Sequence, residues 1–195
     1  MKFIANAFLV VLLMLPFSGT TEAQRKYDLK SGIITFENSV AILGKEVPQK
    51  QVLYFDDYGM KERKELYEGE KLQEAYLCDG MHLFNVVYAE SVAYRGGRST
   101  RGTETRLDGD SLAAQWKGKG TVMKLAAMKV AGRICSAYEL EDAGGKTTLA
   151  GWNHIVLYSE GSASGIHSVS NTVKIVENAK IPGEMFRVPA GFKIK

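Results

Sequence analysis

Turn signals recur along this chain at a spacing of roughly ten residues, with short runs of β-branched and aromatic residues between them. That rhythm leaves little room for long helices. Residues 27–37 (YDLKSGIITFE) read as a strand with Tyr27, Leu29, Ile33 and Thr35 on an alternating face. Residues 51–55 form a second strand, closed by the turn Asp56-Asp57-Tyr58-Gly59. Residues 60–67 (MKERKELY) suit either a short charged helix or a strand, and their place directly after a turn favours the strand. Residues 72–78, Asp79-Gly80 and 81–89 read as a hairpin. Further strands are expected at 129–140, 146–152, 155–160 and 166–177, with turns at Gly144-Gly145, Asn153-His154 and 161–165, before a Pro/Gly-fixed tail at 186–192. Residues 109–127 are the exception: Asp110-Ser111 can cap a helix through Leu112 and Trp116, Gly118 and Gly120 interrupt it, and the alanine-rich 123–128 resumes, so one or two short helices are expected here.

The fold class this implies is mainly β with minor α: an antiparallel meander in one curved sheet with short helices. A sheet of this length must close into a barrel or cover its concave face. The segment 110–127 is the natural lid. Residues 24–195 carry no repeat, low-complexity block or linker, and read as one domain.

The first 23 residues have a separate character. Lys2 precedes a continuous apolar run from Ala7 to Leu15, which Pro16 and Gly19 break, and Thr21-Glu22-Ala23 offers a small-x-small cleavage site. The run is far shorter than the ~20 residues a bilayer span needs, so an export signal is expected rather than an uncleaved anchor. No cysteine follows it, which argues against lipid attachment there. The mature chain is expected to be periplasmic or secreted, with no stable transmembrane span.

Removal of the signal takes away one cation, Lys2, and one anion, Glu22, so the formal net charge stays at +3. That is too mild to point to nucleic acid. Arg95, Arg98, Arg101 and Arg106 make one locally basic stretch, but Glu104 and Asp108 sit close by and Gly96, Gly97 and Gly102 give it the look of a solvated loop. Cys78 and Cys135 are the only cysteines. In an oxidising compartment they can form one long-range bridge, stabilising by roughly 2–4 kcal/mol. Their apolar, alternating contexts equally suit two small buried hydrophobes, and sequence leaves both open.

Catalytic signatures are sparse. His82, His154 and His167 fall into no metal-binding spacing. Asp56 and Asp57 are adjacent, so on a strand they would point to opposite faces, and the following Tyr-Gly makes them turn residues. There is no G-x-S-x-G elbow, and Gly118-Lys119-Gly120-Thr121 lacks the upstream glycine of a phosphate loop. No enzyme activity and no cofactor are expected. What remains is apolar: Tyr54, Phe84, Trp116, Met123, Leu125 and Trp152 are the candidates for an adaptable pocket, gated by 110–127, whose glycines beside Trp116 would let a lid move.

The second half carries a recognisable order of signals. Gly132-Arg-Ile-Cys135-Ser-Ala-Tyr138 is followed by a Gly-rich hairpin, Lys146-Thr147-Thr148 leading to Trp152, and the strands 155–159 and 169–177. The chain closes on Phe186-x-x-Pro189-x-Gly191-Phe192-Lys193-Ile194. With the opening strands (27–34 and 54–59), this resembles bacterial envelope proteins of the LolA/LolB-like superfamily, in particular uncharacterised families with a G-x-x-C-x-x-Y strand and an F-x-x-P-x-G-[YF] end. The resemblance implies an incomplete β-barrel around an apolar cavity, covered by short helices, and, as partners, lipid or lipoprotein acyl chains. Unlike the lipoprotein receptor of that group, this chain has no N-terminal lipobox cysteine. A barrel filled by its own side chains, binding another envelope protein through the basic stretch 95–106 or the charged strand 60–70, is the alternative.

Overall fold

The computed structural model describes residues 25–42, 45–98 and 107–195. The expected signal at 1–23 lies outside the described residues, as do Arg101, Glu104 and Arg106 of the basic stretch.

Twelve strands hydrogen-bond into one sheet. Strands β1 (Gly32–Ile42), β2 (Lys45–Asp56), β3 (Lys61–Glu68), β4 (Lys71–Cys78), β5 (His82–Val87) and β6 (Val92–Arg98) run outward as a meander. The helix α1 (Gly109–Trp116) follows, and the chain re-enters the sheet at its far edge with β7 (Gly120–Val130). Strands β8 (Arg133–Asp142), β9 (Gly145–Trp152), β10 (Ile155–Ala163) and β11 (Ile166–Glu177) then run back until β11 pairs with β1 from Gly32↔Glu177 to Ile42↔Ile166. A two-residue strand, β12 (Lys193–Ile194), adds in parallel to β6. Every other pairing is antiparallel.

Interruptions of register in β11 at Val173, opposite Thr35/Phe36 of β1, in β7 between Leu125 and Met128 and in β10 between Val156 and Tyr158 bend the sheet, because an extra residue on one strand kinks it and tightens its twist. The sheet curls far enough that β3 and β10, four positions apart in strand order, border one cavity. It does not close. The edge strand β7 is broken by its irregularity and carries Lys124 and Lys129, and β12 is very short, both of which discourage edge pairing.

Two expectations need correction. Residues 120–127 are strand, not helix: α1 stops at Trp116, Gly118 turns the chain with φ +76°, and β7 then pairs with β8. Tertiary pairing overrides the helical preference of Ala126 and Ala127 there. The helix is capped by Asp108, whose carboxylate accepts from the Ser111 N–H at 2.8 Å, two residues ahead of the expected cap. Residues 129–140 are likewise not one strand. Ala131 (φ 45°) and Gly132 (φ 80°) form a two-residue turn between paired Val130 and Arg133, the mirror-image turn that suits the twist of a hairpin. Asn153-His154 and Ser164-Gly165 make equivalent turns. Pro48 is accommodated in β2 beyond the end of its pairing with β3, where the missing N–H costs no bond on that side.

The main core gathers Ile34, Phe36, Leu53 and Phe55 with Cys135, Ala137, Ile155 and Leu157. The C-terminal tail covers a second cluster: Phe186 is fully buried, and Val188 and Phe192 pack on Ala75, Val86 and Ala93. Beneath this tail lies a buried ion pair. The Arg63 Nε donates to Glu65 at 2.7 Å, its Nη2 to the Tyr88 hydroxyl and its Nη1 to the Met185 carbonyl, while the Tyr67 hydroxyl donates to the other Glu65 oxygen at 2.6 Å. Burial, then this carboxylate, push the Tyr67 phenol well above its ordinary range, so the network keeps its protons. Arg63 and Glu65 are thereby withdrawn from any surface the charged strand would offer to a partner. Removing one member leaves the other charged and buried, so Glu65→Leu alone is expected to cost about 3–5 kcal/mol in urea unfolding. The double replacement Arg63→Met with Glu65→Leu should recover most of that loss.

Cys78 and Cys135 are both buried and unbridged. The Cys78 thiol donates to the Met60 carbonyl at 3.5 Å, whereas Cys135 lies in the main core. Burial raises the Cys135 thiol above its usual pKa, so less of it is thiolate at any given pH. At pH 8 its alkylation in the folded protein should lag that of free cysteine, and intact mass without reductant should show two alkylatable thiols after unfolding.

Candidate functional site

Side chains of neighbouring strands share a face when their residues are paired, and alternate along each strand. One continuous cross-strand row therefore runs Leu53, Lys64, Tyr76, Asn85, Tyr94 from β2 to β6. The adjacent row on that face is Phe55, Glu62, Cys78, Leu83. All of these except Phe55, which is buried in the main core, wall a cavity of about 390 Å³. Tyr76, Leu83 and Tyr94 remain 47, 42 and 40 % exposed, an uncovered apolar patch spanning three adjacent strands. Two larger depressions, of about 530 and 610 Å³, are bounded mainly by polar side chains such as Glu37, Gln49 and Lys50, or Lys30, Asp56 and Lys180, and lack such a wall.

A second lobe of about 420 Å³ adjoins the apolar cavity and shares Leu53, Glu62 and Lys64 with it. This second lobe is the more polar of the two: Asn38, Gln51, Ser159 and Ser170 line it together with Phe36, Ile155 and Val156. Glu62 is held by the Lys26 ammonium at 2.7 Å and by the Tyr27 hydroxyl, which pins the N-terminal segment across the groove. Lys64 is exposed and, among the described residues, has neither an ion pair nor a side-chain hydrogen bond. Partial burial and then Glu74 raise the Tyr76 phenol, so this side chain stays uncharged at neutral pH.

The six side chains expected to line a pocket are dispersed. Phe84 borders the apolar lobe, its ring packed against Ala75, Val86 and Ala93. Tyr54 lies on the opposite face of the sheet, beside Glu65. Leu125 and Trp152 both pack on the main core, Trp152 beneath the Arg133 guanidinium. Trp116 ends α1 and Met123 stands exposed on β7. The helix contributes no lining residue to either lobe: it packs on β7, with Leu107 against Gly151 and Gly109 against Tyr138.

Apart from Phe84, the residues that line the groove were not singled out from sequence as pocket residues, although a signal existed. The Asp79-Gly80 hairpin assigns Tyr76 and Cys78, Leu83 and Asn85 to one face. The connection proves to be residues 79–82 rather than two residues, pairing Cys78 with Leu83. A slip of two leaves that face unchanged. The histidines sit apart, His82 near Asp79, His154 near Asp28 and His167 near Glu160.

No family model matches the sequence, and no curated protein matches it. Solved structures do. An uncharacterised conserved protein from Thermus thermophilus superposes with a TM-score of 0.57 at 8 % identity, over 89 % of this chain and 94 % of that one. MucB in the MucA/MucB complex of Pseudomonas aeruginosa does so with a TM-score of 0.52 at 13 % identity, over 89 % of this chain, which spans about 60 % of the length of MucB. A LolA superfamily protein from Nitrosomonas europaea is also matched, at 15 % identity over 85 % of this chain and 93 % of that one, with a TM-score of 0.40. These are likenesses of fold. The fold they share with this chain is the open, curved antiparallel sheet that was expected from the sequence.

Proposed function

We propose that this protein is an exported, non-enzymatic binding protein whose groove shields an acyl chain, carried by a lipid or a lipoprotein, from water in the periplasm or outside the cell. The observation that carries this reading is the row of exposed Tyr76, Leu83 and Tyr94 over an apolar cavity. Each methylene that leaves water for such a wall contributes about 0.8 kcal/mol. Export rests on the apolar run at Ala7 to Leu15. Among the described residues, no helix is long and apolar enough to cross a membrane.

A second reading, an envelope protein as partner, draws support from the likeness to MucB, solved together with MucA. It would use the same groove or its rim at Arg95, since half of the charged strand β3 is sealed under the tail.

The test is displacement of an uncharged fluorescent acyl probe from the mature protein. Leu83→Asp and Tyr94→Asp should each weaken uptake at least about tenfold, the equivalent of losing one well-buried apolar contact. Ile134→Asp, at a position 76 % exposed on β8, should leave uptake unchanged, and circular dichroism should stay β-rich in all three. Wild-type protein that takes up no probe, or groove variants that bind as well as wild type, would sink the acyl reading and leave the protein partner.

A further inference from the structure

Resting on that reading, we infer that the groove takes a single-chain amphiphile with a glycerophosphate head, its tail in the apolar lobe and its anion on Lys64. The lobes differ in chemistry. Tyr76, Leu83 and Tyr94 wall one; amides and hydroxyls of Asn38, Gln51, Ser159 and Ser170 line the other. Phe36, Ile155 and Val156 also border the second lobe, so a molecule that matches both has an apolar tail and a head that is polar but not bare charge.

The charge balance fixes the sign of the head. Among the lining residues of the two lobes Glu62 is the sole carboxylate, against Lys26, Lys64 and Arg95. Glu62 is neutralised within the protein by Lys26. Lys64 stands at the common wall with no partner among the described residues, where an anion leaving the apolar lobe would meet it first. A charge-assisted contact there would be stronger than one in open water, because the groove walls exclude solvent from one side.

The size and polarity of the second lobe set the kind of head. At about 420 Å³ it has room for more than a bare carboxylate. Among the described residues the Asn38 Oδ1 is buried with no hydrogen-bond partner, and so is the Asn85 Oδ1 beside the tail lobe. Buried acceptors call for donors, and the hydroxyls of a glycerol phosphate supply them together with the negative charge. A choline head carries the same phosphate but offsets it with a cation and offers no such hydroxyls.

The measurement is calorimetric titration of the mature protein with lysophosphatidylglycerol and lysophosphatidylcholine of one short acyl chain, each below its micellar concentration, and with the free fatty acid of that chain. Wild-type protein should prefer the glycerol lipid over both others by about tenfold or more. Lys64→Met should erase that preference while leaving lysophosphatidylcholine binding unchanged, and Lys64→Glu should reverse it. Lys64 is exposed, so neither substitution threatens the fold. Equal binding of the two lysolipids, or an equal loss of both in Lys64→Met, overturns the assignment of the anion to Lys64. A fatty acid that matches the glycerol lipid overturns the glycerophosphate head. If none of the three ligands binds, the acyl-groove reading itself falls.

Discussion

The two meanders of this protein hydrogen-bond to one another along a single seam, the pairing of β1 with β11, while β1 is paired over its whole length with β2 on its other side. Everything downstream depends on that central strand. Its Ile34 and Phe36 supply the middle of the main core, and the extra residue Val173 of β11, opposite Thr35/Phe36, contributes the bend that brings β3 and β10 around a common space. A parallel or flat junction at this seam would leave the polar lobe of the groove without its second wall. The groove is therefore a product of sheet curvature, and local loop structure only trims it.

The two faces of β3 have opposite tasks. Glu62 and Lys64 point into the groove, whereas Arg63 and Glu65 point into the region sealed by the tail. Alternation along one strand thus separates a solvated charge available to a ligand from a desolvated pair that fastens the C-terminal segment. The same strand reads in sequence as an undifferentiated charged run. Nothing in KERKELY says which charges are covered, since that is decided by Phe186, Tyr88 and Met185, all distant along the chain.

Much of the fold was legible because strand ends are written locally. The turn at Asp56 to Gly59, with Asp57, Tyr58 and Gly59 all at positive φ, and the hairpin at Asn153-His154 follow from side chains that tolerate such backbone. Where the determinant was non-local, local reading failed. Ala131 is a poor candidate for a left-handed turn residue, and the alanines of β7 favour helix, yet both positions are set by pairing with β8. Strand β6 reads as a Gly/Arg-rich loop, since its two partners, β5 and the C-terminal β12, were not visible from its own residues. The groove was missed for the same reason: no single strand is apolar enough to announce it, and it exists only as a row across five strands.

The place of the C-terminal tail has a consequence for how the molecule comes into being. Residues 183–195 complete the second core cluster and the β6 edge, and β11 must reach back across the length of the chain to β1. Contacts so distant in sequence form late, since long loops must close before they are rewarded. A chain that emerges from its N-terminus first cannot finish either half of the sheet until its last residues are available. Order of synthesis and order of assembly are thus tied together: the local hairpins are within reach early, while the central seam and the second core cluster wait for residues made last.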